Sequence, residues 1–79
     1  MKERIKLIWD FRGPDAMKIA KHHAIHLHEF AEKEALNNPL TGVESISKMH
    51  FVAYLVVDKS VMIAVRDALK PHRGTIFMI

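Results

Sequence analysis

The chain has 79 residues, with 12 Lys+Arg against 9 Asp+Glu, 49% hydrophobic residues and no cysteine. This describes one small domain with a thin core, since a chain of this size buries only ~60% of the surface it exposes when unfolded, so a homo-oligomer, a dimer first, is expected. Without cysteine there is no disulfide framework, no thiolate zinc or iron–sulfur site and no thiol nucleophile, and the expected location is the cytoplasm.

Residues 4–11 alternate, with Ile5, Leu7, Trp9 and Phe11 on one side and Arg4, Lys6, Ile8 and Asp10 on the other, which predicts a half-buried strand. Gly13-Pro14-Asp15 breaks the pattern and opens a helix over 15–35. Its inward stripe is expected to be Met17, Ala20, Ala24, Leu27, Ala31 and Ala35, flanked by Ala16, Ile19 and Phe30. The alanines permit close approach to a neighbour. Residues 37–42, Asn-Asn-Pro-Leu-Thr-Gly, read as a loop.

Residues 43–58 are extended, polar at Ser45, Ser47 and Lys48, then continuously apolar from Phe51 to Val57. No Asn-Gly or Asp-Gly marks a tight turn, so one bent strand and two strands both fit. Asp58 or Ser60 is placed to cap a second helix over 61–70, with Val61, Met62, Val65, Ala68 and Leu69 inward, ended by Pro71. After Gly74, residues 75–79 read as a final strand.

This order is that of an α+β domain. With two middle strands it resembles the ferredoxin-like βαββαβ plait, and with one a reduced βαβαβ form of it. Helices would cover one sheet face. The other face, expected to be largely apolar through Ile8 and one parity of 51–57 and 76–79, would then be covered by a second copy, as in dimeric α+β barrel proteins.

Several classes are disfavoured. Asp10 and Arg12 interrupt the only candidate signal-peptide core, and the longest apolar run, Phe51 to Val57, falls far short of the ~20 residues that span a bilayer. The basic excess is dispersed, with seven basic and six acidic residues in 1–40 and five against three in 41–79, so nucleic acid is not an expected partner. A base-stacking platform is excluded by spacing. Phe51 and Tyr54 are three apart and face opposite sides of a strand.

Histidine is the richest signal, with six in the chain and four in His22-His23-Ala-Ile-His26-Leu-His28. His22, His26 and Glu29 make a stripe on the polar side of the first helix. Two imidazoles one turn apart plus a carboxylate suit a divalent transition metal such as Zn or Ni. Lys18 and Lys33 beside them favour the plainer reading of a solvated helix face. His28-Glu29 does not begin an HExxH motif, because position 32 is Glu32. His23 lies at the edge of the apolar arc and needs a partner when buried, for which Asp10 and Tyr54 are candidates.

Three function classes follow. A small ligand or metal would be held by the first helix, with Trp9, Arg12, Tyr54, His72 and Arg73 as further ligand contacts. A cofactor-free α+β barrel enzyme would use His23 and Asp10 as its acid–base pair on a small substrate. An interaction module would lack a pocket. The strand-to-helix rim at Arg12-Gly13 and Lys59-Ser60 favours an anion, and so does the basic turn Lys70-Pro71-His72-Arg73 taken with Arg66. No serine sits in a nucleophile-elbow context.

Overall fold

In the computed structural model residues 3–77 are described; of the expected last strand, Met78 and Ile79 lie outside the described residues. The elements run β1 (Arg4–Arg12), α1 (Ala16–Lys33), β2 (Leu40–Ser47), β3 (His50–Asp58), α2 (Lys59–Leu69) and β4 (Arg73–Phe77). The four strands form one antiparallel sheet in the order β2-β3-β1-β4, so the chain is an α+β domain with two helices.

β1 is a central strand, and its two-residue period fixes the layers. Ile5, Leu7, Trp9 and Phe11 point towards the helices and stand opposite Val57, Leu55, Ala53 and Phe51 of β3. Ala20, Leu27 and Ala31 of α1 and Val65 of α2 close this core. α1 begins at Ala16, three residues after Gly13, whose positive φ of 115° turns the chain and is disfavoured for residues with a Cβ. The inward stripe is rotated from the expected one: Ala16, Ala20, Leu27 and Ala31 are buried, whereas Met17 and Ile19 face outwards.

α1 also ends before Ala35. That residue takes a left-handed φ of 50°, its N–H bonds Glu32 O at 3.1 Å, and the Leu36 N–H bonds Ala31 O at 3.0 Å. This is a Schellman ending with alanine where glycine is usual, and Leu36 packs back on the core.

The ambiguous middle segment is two strands. The Lys48–Met49 turn joins them, and a register shift between Ser45 and Ser47 lets Ile46 bulge outwards. β2 begins at Leu40, inside the expected loop, because its pairing with Val56 recruits residues whose composition reads as irregular. α2 starts two residues earlier than expected. Asp58 precedes it without a side-chain cap, since its carboxylate meets Arg4 at 3.2 Å and the Asn37 amide at 3.2 Å. Val61 and Ala68 are exposed rather than inward, leaving Val65 buried with Met62 and Leu69 beside it.

The sheet face away from the helices is not largely apolar. Ile8, Val52 and Val56 are buried there under charged side chains of the chain itself. Lys6 pairs with Glu44 and lies 4.4 Å from the Tyr54 ring centroid, and Arg4 pairs with Asp58. Tyr54 reaches this position by lying across Gly42, where a Cβ would stand 2.6 Å from its hydroxyl oxygen. Gly42→Ala is therefore expected to destabilise the protein by about 1–3 kcal/mol in the Tyr54 background, as overpacking does, and by much less beside Tyr54→Ser; urea unfolding of the four variants of this cycle measures the difference.

Candidate functional site

Asp10 joins three strands from the middle of β1. Its Oδ1 accepts from His50 Nε2 on β3 at 2.8 Å and from an Arg73 terminal nitrogen on β4 at 3.0 Å, and its Oδ2 accepts from Arg73 Nε at 3.0 Å. The two Arg73 bonds make a bidentate fork. The Asp10 backbone N–H donates to His72 Nδ1 at 2.8 Å, and the His72 N–H donates to Ile8 O at 2.9 Å. An imidazole accepting at Nδ1 carries its proton at Nε2, so His72 presents an N–H donor on its far side. The Arg73 guanidinium, and after it the His50 ring, holds the Asp10 carboxyl down at about 2 although partial burial acts the other way.

These bonds position β4, which has little packing of its own. Ile76 is 57% exposed, and α2 lies over β1 and β3 rather than over this edge strand. The gap between α2 and β4 is a cleft of about 400 Å³. Its floor is Ile5, Leu7, Met62 and Ile76, and Arg66, His72 and Arg73 stand around it with no carboxylate among the described residues that line it. Gly74 keeps this wall thin, because a Cβ there would meet the Leu7 side chain at 3.4 Å. Among the described residues the Arg66 guanidinium has only its sequence neighbour Asp67 as polar partner, at 3.4 Å with both side chains more than half exposed, a pairing that leaves its charge available.

The expected acid–base pair is not brought together. His23 packs on the helix side, with ring centroids 5.1 Å from Trp9 and 5.5 Å from Phe11, whereas Asp10 points to the opposite sheet face. Strand alternation imposes this separation, since Trp9 and Asp10 are adjacent. His23 Nε2 is buried and meets no hydrogen-bond partner among the described residues. Burial first, and then the neighbouring charges of His26, His72 and His22, pushes its pKa below the ordinary histidine value. Trp9 is itself a core residue, its indole N–H donating to Leu69 O at 3.1 Å where α2 ends.

The expected ligand contacts are likewise divided. Tyr54 lies on the open face under Lys6, Arg12 is exposed at the end of β1 opposite His50, and only His72 and Arg73 border the α2–β4 cleft. Along α1, His22 and His26 converge, their Nε2 atoms 3.0 Å apart. Glu29 does not join them as a third donor to the same point; it takes His26 Nδ1 at 3.2 Å. His28 pairs with Glu32 at 2.7 Å one face away. Among the described residues no group of three or more His, Cys, Asp or Glu side chains is placed to hold one metal ion. The pairing of His50 with Asp10 is set by a cross-strand register that composition does not carry.

No family model matches this chain, and no curated protein or solved structure matches it either. Among the described residues no helix is long and apolar enough to cross a membrane.

Two pH effects follow. Because the folded pKa of Asp10 lies below its ordinary value, its contribution to stability is complete above about pH 4 and is lost as the pH falls through about 2. Asp10→Asn is expected to lower stability by about 1–3 kcal/mol at pH 7, and denaturant unfolding should show its gap to the wild type closing between pH 4 and pH 2. For His23 the direction is the same, but the cause is burial. Below the ordinary histidine value the unfolded chain takes up a proton that the folded chain resists, so stability declines from pH 7 towards pH 5. Thermal unfolding of His23→Phe should show a shallower decline over that range; an unchanged slope would remove His23 as its source.

Proposed function

We propose that the protein binds a small amphipathic anion, a carboxylate with a short apolar tail, in the cleft between α2 and β4. The observation that carries this reading is the pairing of an apolar floor with a cationic lining that holds no carboxylate among the described residues: Ile5, Leu7, Met62 and Ile76 below, Arg66 and His72 beside them. A cleft of this volume lies within the range of small-molecule sites. The apolar floor supplies non-directional affinity for the tail, and a guanidinium with an imidazole N–H supplies paired donors for the head group. Arg73, already held by Asp10, contributes the wall rather than the free cation.

In this reading the domain is a ferredoxin-like plait, supported by the βαββαβ element order and the β2-β3-β1-β4 strand order, and it works in the cytoplasm, supported by the absence of cysteine. Asp10 acts as a positioning residue, fixing β4 and the His72 tautomer. Its place outside the cleft separates it from the ligand-contacting set. The oligomer belongs to the reading too, on a surface other than the open sheet face, whose charged groups already pair with one another.

Titration with octanoate, followed by backbone amide NMR, tests the proposal. Octanoate is expected to shift the amides of Ile5, Met62, Gly74 and Ile76 together, and Arg66→Ala to weaken binding about tenfold, the loss of one charge-assisted hydrogen bond. Octanol should bind more weakly than octanoate. Equal binding of the two, or shifts centred away from these residues, would sink the reading.

A further inference from the structure

The His22–His26 pair has the geometry of half a metal site. Its Nε2 atoms are 3.0 Å apart, close to the edge of a tetrahedron around Zn²⁺, about 3.3 Å for Zn–N bonds of ordinary length. Glu29 stands where an outer-shell carboxylate stands in such sites, on the Nδ1 of His26 rather than on the metal side. With Nδ1–H donated to Glu29, neutral His26 presents its Nε2 lone pair. The proton that His22 Nε2 now shares with it would move to His22 Nδ1 when an ion takes its place. One chain still supplies only two donors, and a closed structural site needs four.

The rest of the α1 surface is self-complementary. Asp15, His22, His26 and Lys33 fall within about 20° of one meridian of the helix. A second copy running antiparallel across a two-fold axis at the level of residue 24 would set His22 beside the second copy's His26. It would set Lys33 beside the second copy's Asp15 and Lys18 beside the second copy's Glu29. Asp15 makes no side-chain cap bond that would compete. The lysines that count against a cation site in one chain thus meet carboxylates in two. Ile19 and Ile25, 48% and 58% exposed, flank the histidines on either side and would be covered in the pair. The open sheet face exposes Leu40 but is otherwise lined by charges that already pair with one another.

We propose that α1 carries half of a Zn²⁺ site, completed by the same two histidines of a second copy, so that the ion and four imidazole nitrogens hold an antiparallel, two-fold symmetric dimer. The site uses a surface separate from the α2–β4 cleft and stands whether or not that cleft binds an anion.

Tag-free protein stripped with a chelator, then titrated with zinc chloride in an analytical ultracentrifuge, tests this. The mass is expected to double at one Zn²⁺ per two chains. Co²⁺ in its place should give the intense visible absorption of a tetrahedral ion. His22→Ala/His26→Ala should abolish both responses while circular dichroism stays native, since both residues are exposed. Glu29→Gln should weaken zinc binding about tenfold. Lys33→Asp should weaken the zinc-dependent dimer, and adding Asp15→Lys to the same chain should restore it. One Zn²⁺ per chain without a change of mass, a mass indifferent to zinc, or a response that survives the double alanine variant would each overturn the proposal.

Discussion

The arrangement depends on one carboxylate. Asp10 receives a bidentate fork from Arg73, a ring N–H from His50 and lends its own backbone N–H to His72, so a single residue of β1 ties together β3, β4 and the turn that leads into β4. β4 needs these ties. It is a five-residue edge strand with an exposed Ile76, it pairs among the described residues only with β1, and the helix before it lies over other strands. Without the Asp10 bonds, the five-residue ladder to β1 would be left as the main restraint on one wall of the α2–β4 cleft.

The same strand explains why the sheet has two unlike faces. Odd-numbered residues of β1 bury Leu7 and Trp9 under two helices, and even-numbered ones present Arg4, Lys6 and Asp10 to the open side. On that side the aliphatic residues Ile8, Val52 and Val56 are covered by long charged side chains and by Tyr54, which lies flat because Gly42 makes room for it. A face closed in this way has lost most of the apolar area that would drive a second sheet onto it. The exposed aliphatic residues that flank a polar cluster are found on α1 instead.

Local pattern carried much of this fold. The alternation of β1, the helical spacing of Leu27 and Ala31 and the stop at Pro71 are short-range properties, and they place the elements to within a few residues. What escaped is what two distant segments decide jointly. β2 starts early because Leu40 pairs with Val56, α2 starts without a side-chain cap because Arg4 engages Asp58, and the rotation of α1 follows from which alanines meet the sheet. The site shows the same division. The histidine-rich helix, Asp10 and the basic turn stand out in composition, but the Asp10–His50 and Asp10–Arg73 pairs span 40 and 63 residues, and no spacing rule announces them. The pairing of His23 with Asp10 failed for a local reason that was legible, since neighbours on a strand cannot share a face.

The central claim, that Asp10 clamps β4 through Arg73, is tested most directly by the Arg73 Nε–H resonance in a proton-detected NMR spectrum at neutral pH. The Arg73 Nε–H, 3.0 Å from Asp10, should exchange with water more slowly than that of Arg66, an equally exposed side chain whose Nε meets Asp67 only at 3.4 Å, and show nuclear Overhauser contacts to the His50 ring across the sheet. Exchange as fast as that of Arg66, with no contact to His50, would contradict the clamp and leave the β4 wall held by its ladder to β1 alone.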